Sequence, residues 1–389
     1  MELRSPSREV RKSAIVALSG LLLFFYGFLL GGMQLVMTDV SASFGAGAAG
    51  VGLLVSVQHI TSAIAPGTMG MLADRIGKKP VLVAFCIIFG LGCAVSGLSH
   101  GLGTYIIGIC LIGAGYSVCE SQSSAVLSDF GEKDGARFIN LTQGFLCIGA
   151  IISPILCRAC MSRFGADWRL VFLFCAPCFI VIAVLLMPAV FPQPVSDGQG
   201  TRKKHSRSLL SSRVLLCLMA AVFLYVGLEN GFGYFVGSLF SDILGKDALD
   251  APAISAYWAG MAICRFICVA RSFDTKKLLT GCLLLAAAAF AVLAVSRLAV
   301  VSLIVCFFVG VSYGPVWTML IAQAGTKHPE HSAAAIGLMS TACGLGGIVY
   351  PAIMGAVAQT VSLRSAFVLL GVTALGCLAL FRQSERIKQ

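Results

Sequence analysis

The stretch Gly70-Met71-Leu72-Ala73-Asp74-Arg75-Ile76-Gly77-Lys78-Lys79-Pro80-Val81-Leu82 is the one tight cluster of charge in a long apolar opening. An acid and three basic residues packed between positions 74 and 79 have no place in hydrocarbon. The chain therefore leaves the membrane here, and the apolar runs on either side are spans. A turn that only anchors two helices needs basic residues. It has no need of glycines at 70 and 77, an acid at 74 and the pair Lys78 and Lys79 at these spacings. The glycines are expected to permit close approach and a tight turn.

Composition carries the same message along the whole chain. Its 389 residues are 58% hydrophobic and only 12% charged, with a mean hydropathy of +0.92. A soluble domain carries about a quarter charged residues. The expected fold class is an all-α membrane protein. A span takes about 20 apolar residues, and runs of that kind lie at about 15–37, 48–70, 80–98, 102–128, 139–161 and 169–190. A second set follows at about 214–240, 252–270, 278–296, 299–323, 333–359 and 366–382. Between them, 191–213 holds Pro192, Pro194, Gly198, Gly200 and the cluster Arg202-Lys203-Lys204-His205-Ser206-Arg207, the composition of a linker. The expected domains are an N-terminal six-helix bundle at 1–190, a linker at 191–213 and a C-terminal six-helix bundle at 214–389.

The net charge of +11 is spread over short loops rather than gathered on one domain, so membrane topology explains it better than nucleic acid. Of the 28 Lys and Arg, 21 fall on the side of the N-terminus, the 70–82 loop, the linker and the tail. Six fall on the other side, and Arg265 lies within a helix. Basic residues are retained in the cytoplasm, so both termini and the linker are expected there. The apolar run after Arg4, Arg8, Arg11 and Lys12 lacks a small-residue cleavage site and reads as a retained first span. The sixteen cysteines lie mostly inside apolar runs, where they act as small hydrophobes. The pairs Cys157-x-x-Cys160 and Cys175-x-x-Cys178 have no acid or histidine beside them, so no metal and no cofactor is expected.

The halves repeat. Gly113-Ala-Gly-Tyr116 in the fourth span returns 197 positions later as Gly310-Val-Ser-Tyr313 in the tenth. Gly149 and Pro154 in the fifth return at the same offset as Gly346 and Pro351 in the eleventh. Tyr26 and Gly32 pair with Tyr225 and Gly231 at an offset of 199. Asp74 is echoed by Asp274, with Lys276 and Lys277 after it.

An ionisable group in mid-span is a functional candidate by default. Glu120 qualifies, in the polar run Glu120-Ser121-Gln122-Ser123-Ser124, and so does Glu229, followed by Asn230. For each, the alternative is an acid bonded to a neighbouring helix with no role in turnover. Arg265 lies near a span end, where snorkelling or a pair with Asp274 is expected. His59 either titrates or is a hydrogen-bonded cavity histidine. Asn140 and Gln143 are one turn apart in the fifth span and share a face. Gln34 and Gln58 place amides in the first two spans. Tyr257, Trp258, Tyr313 and Trp317 offer rings either for packing or for stacking on a solute. Such an amide-rich, aromatic, weakly charged set suits a neutral polyhydroxyl solute.

The opening loop, Gly-x-Leu-Ala-Asp-Arg-x-Gly-Lys-Lys-x-x-Leu, resembles the loop between the second and third helices of the major facilitator superfamily. Within it, Arg137-Phe-Ile-Asn140-Leu-Thr-Gln143-Gly resembles the fifth helix of the fucose–galactose–glucose:proton symporter family. Gly113-x-Gly115…Glu120…Asp129, Phe223-Leu-Tyr225-Val-Gly227-x-Glu229, Ser255-x-x-Trp258-x-Gly260 and Gly310-x-x-x-Gly314-Pro315 resemble it too. The resemblance implies two six-helix bundles as parallel repeats, with solute held near the midplane and alternating access. It implies sugar binding or proton coupling at Glu120, with Asn140 and Gln143 among the cavity residues. It also implies that Gly70, Asp74, Arg75, Gly77, Lys78 and Lys79 form a conformational latch. Two departures stand out. The fucose permease branch has an acid seven residues after the position of Gly27, where this chain has Gln34. Ser124 stands where relatives often have Asn. The solute is therefore not fixed as fucose.

The expected function is proton-coupled uptake of a small organic solute, a sugar or related polyhydroxyl compound, by a monomer in the plasma membrane of a bacterium. The coupling ion is expected to be the proton, and the partners are the solute and the bilayer. The alternative is proton-driven efflux of drugs or metabolites. The antiporter pattern in the fifth helix, Gly directly before Pro and then a Gly pair, is missing, because Gly149 and Pro154 are separated and Ile155 and Leu156 follow. A more distant alternative is a non-transporting receptor. No catalytic motif is present, and an enzyme is not expected.

Overall fold

In the computed structural model the described residues are 6–128, 130, 132–191, 212–271, 273–328 and 332–387. The basic cluster expected in the linker lies outside them. The first half holds α1 (Pro6–Ser43), α2 (Ala48–Ile76), α3 (Lys78–Gly97), α4 (Leu102–Ser128), α5 (Glu132–Phe164) and α6 (Arg169–Leu186). The second holds α7 (Arg213–Ser238), α8 (Asp250–Ala270), α9 (Thr275–Val295), α10 (Ala299–Tyr313), α11 (Val316–Lys327), α12 (Ser332–Thr360) and α13 (Leu363–Arg386). Twelve segments among the described residues are long and apolar enough to cross a membrane, the tenth being α10 and α11 together. The chain is a multi-pass, all-α membrane protein, as expected, because helices satisfy their own backbone groups where water is absent.

The described contacts form two compact units, residues 1–33 with 60–196, and residues 34–59 with 197–389. The expectation of contiguous domains differs at 34–59, the end of α1 and the start of α2, which group with the second unit. The physical cause is small-residue packing on α12. Gly52 meets the backbone of Pro351 and Ala352, and Gly355 meets that of Ala48 and Ala49. The Ala49 amide also donates to Gln359 Oε1 at 3.1 Å.

In the first unit α3 packs on α4 and α6. A Cβ on Gly149 of α5 would collide with the Phe24 carbonyl of α1, so the two backbones touch here. In the second unit Gly346 of α12 meets the Phe223 carbonyl of α7 in the same way. Close helix crossings of this kind are what small residues provide in lipid. Helix ends are treated alike as well. Arg169, at the start of α6, donates to the Ser99 carbonyl beyond α3 at 3.0 Å. Arg364, near the start of α13, donates to the Ala294 carbonyl of α9, also at 3.0 Å. A cation at a helix C-terminus complements its dipole.

The opening loop closes on one glycine. Gly77 has φ 95° and ψ 152°, a conformation essentially reserved for glycine, and it joins α2 to α3. Lys78 Nζ then donates to the Ala125 carbonyl in the last turn of α4 at 3.1 Å. Beneath the turn Ala73, Val81 and Val118 form a buried cluster. Arg75 is exposed and Lys79 half-buried. Gly70 corrects the expectation of close approach, since nothing lies within 4 Å of where its Cβ would be. The side chain of Asp74 lies outside the described residues.

Candidate functional site

The first unit brings two of the expected residues together. Gln143 Nε2, on α5, donates to Glu120 Oε1, on α4, at 3.0 Å, and both side chains are half-buried. One turn before Glu120, Tyr116 stacks on Tyr26 with ring centroids 4.7 Å apart and planes 10° apart. The Tyr116 hydroxyl is hydrogen-bonded to Ser62 and lies within electrostatic reach of Glu120. A carboxylate, an amide, a hydroxyl pair and a stacked ring thus share one neighbourhood. Asn140, one turn before Gln143 on α5, is exposed.

The second unit brings together more. Trp258 Nε1, on α8, donates to Gln34 Oε1, on α1, at 2.8 Å. Both residues are buried, at 3% and 4% exposure. Glycine at 233 leaves room for that amide, which a Cβ would strike. His59 Nε2 lies 3.1 Å from Asn230 Oδ1, and Asn230 Nδ2 donates to the Val226 carbonyl at 3.0 Å. His59 is thus the hydrogen-bonded histidine of the two expected alternatives, and Gly347 gives its ring space. Gln58 is buried on α2. Trp317 is half-buried on α11 and takes no part in these pairs.

Behind Trp258 lies a buried aromatic group. Tyr225, Tyr257 and Tyr313 are all fully buried. Their rings meet edge to face, Tyr225 with Tyr313 at 5.5 Å and Tyr257 with Tyr313 at 6.0 Å. Tyr313 was expected to pack or to stack on a solute, and its packing against protein rings is what the structure contains. The repeat recurs in contact: Tyr26 with Tyr116 in one unit, Tyr225 with Tyr313 in the other.

Arg265 corrects an expectation. It does not pair with Asp274, which instead caps α9 by accepting from the Lys277 amide at 2.9 Å. Arg265 Nε turns to the Gly314 carbonyl at 3.3 Å. Pro315 breaks the tenth span there, lacking the N–H that would continue the helix. A signal for this was present: Arg265 follows Trp258 by seven residues and so lies on the same helical face.

The geometry stands beside several likenesses to known proteins. The family described as Major Facilitator Superfamily matches residues 17–349. A protein of Brucella abortus biovar 1 called "Glucose/galactose transporter" is 25% identical over 321 residues, covering 77% of each chain. "Quinidine resistance protein 1" of Saccharomyces cerevisiae is 28% identical over 185 residues, which are 45% of this chain and only 32% of the yeast protein. The crystal structure of the E. coli fucose:proton symporter FucP aligns with a TM-score of 0.70 at 18% identity, covering 96% of this chain and 98% of that one. At that identity the likeness is one of fold.

Proposed function

The chain belongs to the major facilitator superfamily, and from that premise we propose that it takes up a small neutral polyhydroxyl solute, a sugar or a close relative, with protons as the coupling ion. The observation that carries this reading is the Glu120–Gln143 bond beside the Tyr116 ring. A carboxylate and an amide fixed at known separation present acceptors and donors to solute hydroxyls. A flat ring beside them suits the apolar face of a pyranose. The glucose/galactose relative, matched over 77% of both chains, supports the same class. In this reading the protein works as a monomer by alternating access in the plasma membrane of a bacterium, with both termini in the cytoplasm.

Drug or metabolite efflux is the second reading, favoured by the likeness to the quinidine resistance protein. One screen separates them. Purified protein is heated with D-glucose, D-galactose, sugar acids, nucleosides and amphipathic amines, and a ligand raises the unfolding temperature as it occupies the native state. Stabilisation by hexoses, followed by acid-gradient-driven hexose uptake into proteoliposomes, supports the proposal. Stabilisation by amphipathic amines with no response to any hexose sinks it.

A further inference from the structure

We propose that half-buried Glu229 and Arg265, with the buried phenols of Tyr257 and Tyr313, form a hydrated site in the second unit that binds and releases the coupling proton. This rests on the proton-coupled reading above and assigns the proton to a different acid from the one beside Gln143.

The hydroxyls of Tyr257 and Tyr313 are fully buried and have no hydrogen-bond partner among the described residues. Buried polar groups left this way call for an explanation, of which bound water is the ordinary one. Tyr225, by contrast, is satisfied: its hydroxyl donates to the Tyr313 carbonyl at 3.0 Å. Ser96 Oγ and Ser123 Oγ are also buried without a partner among the described residues, and what sets Tyr257 and Tyr313 apart is that both lie within electrostatic reach of Glu229. Glu229 follows Tyr225 by one helical turn on α7, which places the acid on the same face. Its charge reaches all three phenols, and that of Arg265 reaches Tyr225 and Tyr257. A buried water needs two to four polar partners, and two hydroxyls with a carboxylate supply three.

The donor set fits a proton better than a metal. The described residues contain no group of three His, Cys, Asp or Glu that could hold a metal ion, and a guanidinium stands within electrostatic reach of Tyr257. A phenol both donates and accepts. It can donate towards an ionised carboxylate and turn to accept from a protonated one, so both states of Glu229 are accommodated without moving the backbone. Arg265 is held by Nε to the Gly314 carbonyl, which keeps its positive charge in place in either state. Other titratable groups on α7 and the helices beside it include Cys217 of α7, Cys264 of α8, Tyr350 and Cys343 of α12, Cys377 of α13 and His59 of α2. His59 is engaged by Asn230, and the Tyr350 hydroxyl lies 3.0 Å from Thr373 Oγ1.

The test is infrared difference spectroscopy of the purified full chain between acid and alkaline pH. Wild type should show a carboxylic acid carbonyl band that Glu229→Gln deletes and Glu229→Asp moves in frequency. Tyr257→Phe combined with Tyr313→Phe should keep that band and move its midpoint pH by about one unit or more, because hydrogen bonds to one charge state shift the equilibrium. In proteoliposomes, Glu229→Gln should lose pH-driven accumulation of D-galactose. A band unchanged in Glu229→Gln, or a midpoint unmoved in the double phenylalanine variant, overturns the proposal. Failure of wild type to take up D-galactose sinks the sugar reading instead, and the infrared result still decides the proton site.

Discussion

Gln143 Nε2 and Glu120 Oε1 lie 3.0 Å apart, joining α5 to α4 through a charged hydrogen bond between half-buried partners. In low dielectric such a bond is strong, and it holds the carboxylate in one orientation beside the Tyr26–Tyr116 stack. Orientation is what a solute with several hydroxyls requires of its receptor.

Gln143→Ala and Glu120→Gln should therefore weaken solute binding. Hydrogen bonds to charged groups contribute about 1.5–3 kcal/mol, so KM for a hexose should rise at least roughly tenfold. Initial-rate uptake at varied hexose concentration checks this. An unchanged KM in both variants would remove the pair from the binding site.

Two glycines of the same loop should respond in opposite ways. Gly77→Ala forces a side chain into φ 95°, ψ 152° and should cost about 1–3 kcal/mol. Gly70→Ala lies in a helix with open space around it, and should be neutral or stabilising by up to about 1 kcal/mol. Thermal unfolding of the two variants in detergent makes the comparison.

The α1–α5 and α7–α12 crossings leave no room for a methyl group. Gly149→Ala and Gly346→Ala each drive a Cβ into a backbone carbonyl, of Phe24 and of Phe223. Overpacking of this kind costs about 1–3 kcal/mol, more where backbone must move. Both variants should lose their monodisperse peak in size-exclusion chromatography after mild heating, at temperatures wild type survives.

Trp258→Phe keeps the ring but removes the N–H that meets Gln34. The buried Gln34 oxygen loses a donor, which costs about 1–3 kcal/mol. Gln34→Leu in the same background removes the orphan and should recover part of the loss, measured by thermal inactivation of ligand binding.

Much of the fold was legible in the sequence because lipid is a strict solvent. Apolar runs of span length and a charged loop leave few arrangements, and the twelve spans follow from them. The four tyrosines were legible as a repeat, Tyr26 with Tyr225 and Tyr116 with Tyr313, whereas the contact within each pair of helices emerges only in the fold. Arg265 was not legible in this way. Its distance from the span end suggested snorkelling, but the carbonyl it meets is that of Gly314, on another helix. The seven-residue step from Trp258 put Arg265 on an inward face, but nothing in its own helix named the partner. The grouping of 34–59 with the second unit was hidden for the same reason, because Gly52 finds Pro351 only once the chain is folded. The Glu120–Gln143 pair stands between these cases: both residues were evident as polar intruders, whereas their bond depends on how α4 and α5 are rotated.

The arginine contacts at the helix ends span the same sequence separation, 70 residues, in both halves. Such agreement reads as inheritance from a single ancestral half whose gene was duplicated. What differs between the copies must then have arisen since. At the repeat offset of 197, Glu120 faces Trp317 in register, and at 199 Glu229 faces Leu30. The framework is the common inheritance, and each acid stands in one copy alone. Division of labour between the halves, one acid for the solute and the other for the proton, is the outcome that such a history makes available.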